Sequence, residues 1–251
     1  MKPLYCRIGS KYLMASEIIS HFPEHIIYVE PFIGGGGVFW SKEKSDIEII
    51  NDLDKDLIND YKLIKKSSSD KSKYRQFLNT VAKKEAFLNK IDLVIQDQNN
   101  EDKLTAQIIR RCGGFGSQLV GKSNKIYTSS NPYSKLKNIK DYKNRIKETF
   151  IKNEDYKKII RDYDSVDTLF YLDPPYEDSK GLYKNSDIDY EEMASILKNI
   201  KGMFLLSLNG SPYIKKIFKD FKIKQIKLKT VASHESKIGS KKRVELLIMN
   251  F

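Results

Sequence analysis

The sequence predicts an α/β fold: a Rossmann-like sheet that opens as a nucleotide-binding domain and carries a mainly helical insert. Three observations predict it. A short apolar run, a glycine cluster, a second apolar run and an acid succeed one another near the start of the chain, the opening order of a nucleotide-binding sheet. The strand-and-helix alternation then stops over residues 67–140. It resumes with an apolar run at residues 168–172 that leads into Asp173-Pro174-Pro175-Tyr176.

The elements follow in order. Residues 10–22 carry Leu13, Ile18, Ile19 and Phe22 at near-helical spacing, with Ser10 as N-cap and Pro23 as terminator. Ile26-Ile27-Tyr28-Val29 is a buried strand ahead of a glycine loop. Residues 47–50 form a second strand ending in Asn51-Asp52, and a helix follows over residues 54–65 with Asp54 near its positive end. In the insert, helical patterns fall near residues 74–88 and 104–111, ahead of a Gly- and Ser-rich stretch at residues 112–132. Strands are expected at 168–172, 202–208, 222–230 and 244–249, and helices at 190–200 and 211–218. The organisation is therefore an α/β domain built from residues 1–66 and 141–251, interrupted by a mostly helical insert at 67–140.

Composition narrows the function. The chain has 251 residues and a formal net charge of +12, and a protein this basic is drawn to polyanions, nucleic acid first. A Lys-rich proteome is the plainer source of such a charge. The charge is uneven, however: residues 211–243 hold eleven Lys or Arg against Asp220 and Glu235, and such clustering favours a phosphate-facing surface. Cys6 and Cys112, the two cysteines, sit in no CxxC pattern, so neither a disulfide framework nor a metal site is expected. A reducing, intracellular setting fits. No apolar run approaches the ~20 residues of a membrane span, and no secretory leader pattern opens the chain. His21, His25 and His234 read as surface or packing residues, and Trp40 as core.

Three segments carry chemistry. In Glu30-Pro31-Phe32-Ile33-Gly34-Gly35-Gly36-Gly37, glycines after a strand allow close backbone approach and positive φ. The spacing is not the dinucleotide GxGxxG fingerprint, which suits a nucleoside ligand without a pyrophosphate; a plain surface loop is the alternative. Asp52, just past the second strand, is placed to accept ribose hydroxyls, or to cap a helix, a job for which Asp54 competes. In Asp173-Pro174-Pro175-Tyr176, two prolines fix an extended backbone and remove two N–H donors. Carbonyls, a carboxylate and a flat ring together suit an amino group on an aromatic base.

On these residues the chain resembles the Dam-like class of DNA adenine-N6 methyltransferases. Gly9-Ser10-Lys11-Tyr12 is similar to the family's N-terminal segment, residues 30–36 to its Glu-Pro-Phe-x-Gly-x-Gly loop, and Ser207-Leu208-Asn209 and Arg243-Val244-Glu245-Leu246-Leu247 to its late strands. The order of cofactor loop, insert and catalytic segment is that of the alpha arrangement. The resemblance makes residues 1–66 and 141–251 the methyltransferase catalytic domain, a sheet binding S-adenosylmethionine, and residues 67–140 its inserted DNA target-recognition domain. It implies double-stranded DNA as substrate. It implies cofactor contacts at Arg7, Lys11, Phe32, Gly34, Gly36, Asp52 and Asp173. It implies catalytic roles for Asp173, Pro174 and Tyr176, with Tyr176 stacking on a flipped adenine, and DNA contacts at Arg110, Arg111, Lys122 and Lys125. No metal is implied. Two departures stand out. Arg7 occupies a position where relatives often have an aromatic residue. Arg111-Cys112-Gly113-Gly114-Phe115-Gly116 lacks the asparagine of the family's insert run, so the recognition sequence is not set by the resemblance. An enzyme acting alone or beside a separate restriction endonuclease is expected, encoded by a cell, a virus or a mobile element. Methylation of RNA adenine or protein glutamine, and a DNA-binding remnant without activity, are the competing readings; Asp173 speaks against the first and the intact segments against the second.

Overall fold

The computed structural model describes residues 1–5, 9–70, 74, 99–113, 136–177, 188–227 and 244–251, with backbone alone for 109–113. Arg7, Lys122 and Lys125 lie outside the described residues, as does nearly all of the helix expected at 74–88. The strands are β1 (Ile27–Glu30), β2 (Ile47–Asn51), β3 (Phe150–Lys152), β4 (Thr168–Leu172), β5 (Met203–Asn209), β6 (Lys222–Lys227) and β7 (Val244–Met249). The described α-helices are α1 (Ala15–Ile19), α2 (Lys55–Lys66), α3 (Asn100–Gly113), α4 (Ile139–Ile146), α5 (Tyr156–Tyr163), α6 (Tyr190–Lys198) and α7 (Pro212–Ile217).

The seven strands form one sheet in the order β3-β2-β1-β4-β5-β7-β6. β1 runs parallel to β2 and β4, and β4 to β5. β7 is antiparallel to both β5 and β6. This is a mixed α/β fold consistent with S-adenosylmethionine-dependent methyltransferases. The chain divides into two compact units: Met1–Ile19, Gly34–Lys44 and Lys55–Ile151 form the first, and Ser20–Ile33, Ser45–Asp54 and Lys152–Phe251 the second.

The second unit holds most of the sheet. β4, with sequence TLFYL, is buried at every position, as expected of a parallel strand covered on both faces. Side chains alternate across a strand, and the two faces differ in chemistry. One carries Val29, Ile49, Phe170, Leu206 and Ile248, packed with Ile159 of α5, Met193 of α6 and Phe218 into a single apolar core. The other carries Tyr28 and Glu30 on β1, Tyr171 on β4, Ser207 on β5 and Glu245 on β7, all nearly inaccessible to solvent. Each helix packed on the apolar face starts on a side-chain cap. Asp155 accepts from Lys157 N at 2.8 Å, Asp189 from Glu192 N at 2.9 Å, and Ser211 from Ile214 N at 3.1 Å, satisfying backbone donors that a helix start leaves unpaired.

The first unit is organised on aromatic side chains. The Trp40 ring stacks on Tyr61 with 6.1 Å between centroids and meets Tyr142 edge-on at 5.2 Å, and Trp40 is 1% exposed, as a core residue should be. α2 presents Leu57, Ile58, Tyr61 and Ile64 inward at helical spacing, with Asp56 in its first turn and Lys65 and Lys66 in its last, matching the helix dipole.

The expected helix at 10–22 is shorter than the apolar spacing suggests. A 3-10 turn over Lys11–Met14, capped by Ser10, gives way to α1, which ends at Ile19 before Pro23 intervenes. Its Leu13 is 79% exposed, so the apolar spacing there does not mark a buried stripe. β3, α4 and α5 were not expected from the sequence at all.

Candidate active site

The parallel strands place their carboxyl ends along one edge of the sheet in the second unit. From β1 the chain crosses to β2 on one side and later to β4 on the other. That reversal of strand order marks where ligands bind in open α/β sheets. Glu30, Asn51, Leu172 and Asn209 end the four strands, and the segments that follow three of them are those singled out in the sequence: Pro31-Phe32-Ile33 after β1, Asp52 after β2 and Asp173 to Tyr176 after β4.

The segment Asp173 to Tyr176 is held at each of its ends. Ser207 Oγ donates to Asp173 Oδ1 at 3.3 Å, and Tyr171 Oη lies 3.1 Å from the same Ser207 Oγ. Pro174 is buried. The Pro175 carbonyl accepts from Tyr190 Oη at 2.5 Å, and Tyr176 Oη donates to Glu245 Oε1 at 2.5 Å. Burial pushes the Tyr176 phenol far above the ordinary tyrosine range, and the negative charges of Asp173 and Glu245 push it further. The phenol therefore stays protonated and remains a donor at any working pH. Glu177 next to it accepts from Ser211 Oγ at 3.2 Å.

On the β1–β2 side, Asn51 ties three segments together. Its Nδ2 donates to Pro31 O and to Glu154 O, both at 2.9 Å, and its Oδ1 accepts from Glu154 N at 2.9 Å. Asn153 Nδ2 donates to Asp52 O at 2.7 Å, and Asp52 Oδ1 accepts from Asp54 N at 2.9 Å. This bond closes a turn at Asp52–Asp54, one residue before α2 begins at Lys55. The Phe32 ring packs on Tyr156 with centroids 5.2 Å apart and planes tilted by 35°. Tyr156 Oη is buried and has no protein partner among the described residues. Burial raises the Tyr156 phenol above its usual value, helped by the charges of Glu192, Asp155 and Asp189. Asn51, Tyr156, Tyr190 and Glu245 were missed as site residues by sequence reasoning. The local sequence marks only their place in an element: Asn51 closes a strand, and Tyr156 and Tyr190 each follow a capping Asp; nothing local marks Glu245.

A family model for the D12 class of N6 adenine-specific DNA methyltransferases matches residues 8–232. The chain belongs to this family. The D12 class chain is similar to a DNA N-6-adenine-methyltransferase of Escherichia phage P1, at 25% identity over 84% of its own length and 30% of the phage protein's. It is also similar to a type II methyltransferase of Lactococcus lactis subsp. cremoris, at 25% identity over all of its length and 96% of that protein's. A DNA adenine methylase of Serratia marcescens matches more closely, at 39% identity, over 25% of this chain. The chain thus spans about a third of the phage relative and almost all of the lactococcal one.

In the first unit of this D12 class methyltransferase, Lys11 is 6% exposed and donates through Nζ to Gly9 O at 3.3 Å. Gly34 has φ of +46° and its carbonyl accepts from Tyr61 Oη at 3.0 Å; a Cβ built there meets nothing within 4 Å. Gly36 has φ of +69°, and a Cβ there would stand 2.8 Å from the Trp40 ring. Gly37, which closes the glycine loop and was not among the expected cofactor contacts, has the tightest surroundings of the three: a Cβ would meet Tyr12 N at 2.6 Å. Arg110 and Arg111 lie on the backbone of α3; their side chains are outside the description. Exposed Lys222 and Lys224 stand on β6 at the edge of the sheet, and Lys224 Nζ lies 2.9 Å from His21 Nε2. His25 bridges Pro23 O and Ser45 Oγ. Among the described residues no group of His, Cys, Asp and Glu is arranged to hold a metal ion, and no helix is long and apolar enough to cross a membrane.

Proposed function

We propose that this chain methylates the exocyclic amino group of adenine in double-stranded DNA with S-adenosylmethionine as donor, and that the target base is flipped into the pocket formed by Asp173 to Tyr176. Adenine-specific DNA methylation is the activity that family membership carries. One observation carries the finer reading: the Pro175 carbonyl is engaged by Tyr190 while the Asp173 carboxylate is oriented by Ser207. In this reading the Pro174 carbonyl and the Asp173 carboxylate, side by side in the chain, are the acceptor pair for an amino group.

The residues at the β1–β2 edge fit a nucleoside-bearing donor. Asp52 follows a strand at the position that takes ribose hydroxyls in sheets of this type. Phe32 and Tyr156 offer apolar ring surface beside a buried hydroxyl that has no partner among the described residues. Lys11, Gly34 and Gly36 in the first unit are cofactor contacts on the strength of the resemblance, and so is Arg7. When bound, S-adenosylmethionine supplies an electrophilic methyl on a sulfonium sulfur.

The chain's own groups prepare the acceptor. An adenine amino nitrogen is a poor nucleophile because its lone pair is delocalised into the ring. Its two N–H bonds donate to Asp173 and to the Pro174 carbonyl, which favours the pyramidal nitrogen with a localised lone pair. The same acceptors stabilise positive charge developing on that nitrogen. Tyr176 stacks on the base; stacking contributes about 1–3 kcal/mol per base, offsetting part of the few kcal/mol that flipping costs. Arg110, Arg111, Lys122 and Lys125 contact the DNA on the strength of the resemblance, and the basic stretch at residues 211–243 offers further phosphate contacts.

The experiment offers labelled S-adenosylmethionine and the purified chain to unmethylated duplex DNA, to RNA and to protein. Label in N6-methyladenine of DNA is expected. Label in RNA or protein without DNA, or none anywhere, overturns the reading.

A further inference from the structure

We propose that Glu245 is a positioning residue for the target base: by holding the Tyr176 hydroxyl it fixes the plane of the ring on which the adenine stacks. This rests on the stacking role of Tyr176 proposed above. Glu245 sits on β7, opposite Asn209 of β5, in a strand whose next four residues, Leu246 to Met249, are all buried and apolar. It is 4% exposed. A carboxylate in such surroundings is costly unless it is hydrogen-bonded, and the Tyr176 phenol supplies a bond at 2.5 Å.

The geometry gives this bond a task beyond satisfying a buried charge. A tyrosine side chain has two rotatable bonds. Its Cα is fixed here by the preceding Pro174-Pro175 pair, whose second carbonyl is itself tied to Tyr190. Its far end is fixed by Glu245. With both ends held, the ring has one orientation. A hydrogen bond from a neutral phenol to an ionised carboxylate is about twice as strong as a neutral one, and the raised phenol pKa keeps the proton on tyrosine. Part of the Tyr176 ring packs against the apolar core of the second unit. Because a stacking platform acts by being in place before the base arrives, pre-organisation of this kind appears in the productive encounter with DNA and not in cofactor binding.

The test measures label transfer to unmethylated plasmid DNA, varying DNA and S-adenosylmethionine separately, and the dissociation constant for S-adenosylmethionine. The chains compared are the wild type, Glu245→Ala, Glu245→Gln, Tyr176→Phe and the double change Glu245→Ala with Tyr176→Phe. Glu245→Ala is expected to lower kcat/KM for DNA about tenfold or more, with cofactor affinity within about twofold. Glu245→Gln, whose carboxamide oxygen still accepts from the phenol, is expected to recover most of the loss. In the Tyr176→Phe background, Glu245→Ala should cost no more than about twofold further, since the two changes remove one interaction. The assignment is overturned if Glu245→Ala keeps wild-type kcat/KM for DNA, if the two losses multiply, or if cofactor affinity falls in parallel. Should Glu245→Ala fail to fold, the pair Glu245→Gln and Tyr176→Phe decides. A large loss in Glu245→Gln beside near-wild-type Tyr176→Phe sinks the assignment, and the reverse pattern supports it. A wild-type chain that labels no DNA removes the stacking reading itself, whereas an active wild type with an indifferent Glu245 removes this assignment alone.

Discussion

Asp173 works through what surrounds it. Ser207 takes one lone pair of its carboxylate, and Tyr171 steadies Ser207, so in the proposed reaction the carboxylate is oriented in advance. Asp173→Ala should reduce methyl transfer by about a hundredfold to a thousandfold, the scale seen when one pre-placed stabilising group is deleted. DNA affinity in a gel-shift titration should change little. An Asp173→Ala chain with near-wild-type turnover would contradict the assignment. Tyr190 acts on the same segment from the other side. Tyr190→Phe deletes the bond to the Pro175 carbonyl and leaves a competing acceptor beside Pro174. The expected result is a kcat lower by about tenfold and a stability loss of about 1 kcal/mol, read from single-turnover rates and denaturant midpoints. Asp173, Pro174 and Tyr176 stand out as candidates in the sequence because their residue types are unusual side by side. Glu245, Tyr190 and Asn51 do not, because each is an ordinary residue that gains its role from a partner 15 to 103 positions away.

At the scale of elements, strands were read more faithfully than helices. The limits expected for β4 and β7 agree with the structure residue for residue, since an unbroken apolar run leaves little choice. β3, with three residues and an exposed Phe150, carries too little pattern to be read. α5 did carry a signal: Tyr156, Ile159, Ile160 and Tyr163 recur at helical spacing behind a capping Asp155, and three of them are buried. The lysines and acids interleaved with them dilute the apolar pattern, and no element was expected over the segment. The glycine loop shows a division of labour that composition hides. Gly34 is needed for its positive φ alone, Gly36 for φ and space, and Gly37 because the backbone of residues 11 and 12 presses on its Cα. A flexible side chain can yield to a new methyl group; a packed backbone cannot. Gly37→Ala should therefore destabilise the chain by several kcal/mol. Gly34→Ala should cost only about 1–2 kcal/mol of backbone strain. Thermal melts of the two variants check the order, and equal or reversed losses would contradict it.

For the whole molecule, charge and pH are the accessible controls. The net charge of +12 makes DNA affinity fall as salt rises, in proportion to the phosphates neutralised. Stability should depend on pH at the alkaline end. Burial, foremost, raises the phenols of Tyr28, Tyr171 and Tyr176 in the folded chain, while unfolded tyrosine ionises near pH 10. Above that pH the unfolded chain binds fewer protons than the folded one, so stability falls as pH rises, by up to about 1.4 kcal/mol per pH unit for each phenol. Below it these groups contribute no slope. Denaturant midpoints at pH 9, 10 and 11 should show the decline, and Tyr171→Phe should make it shallower; a flat profile in the wild type would count against the burial of these phenols.

The place of β7 in the sheet has a consequence for how the protein is made. β7 lies between β5 and β6, yet it follows both in the sequence. During synthesis, at about 5–20 residues per second, β5 and β6 leave the ribosome with no strand between them. The flank of β5 stays open as a bare edge, the kind of surface that invites pairing with another chain. Only when residues 244–249 emerge does the gap close, and the same event delivers Glu245. The acceptor for the Tyr176 hydroxyl thus arrives after the ring it holds, so a ribosome-bound chain carries Asp173 and Tyr176 before it carries Glu245.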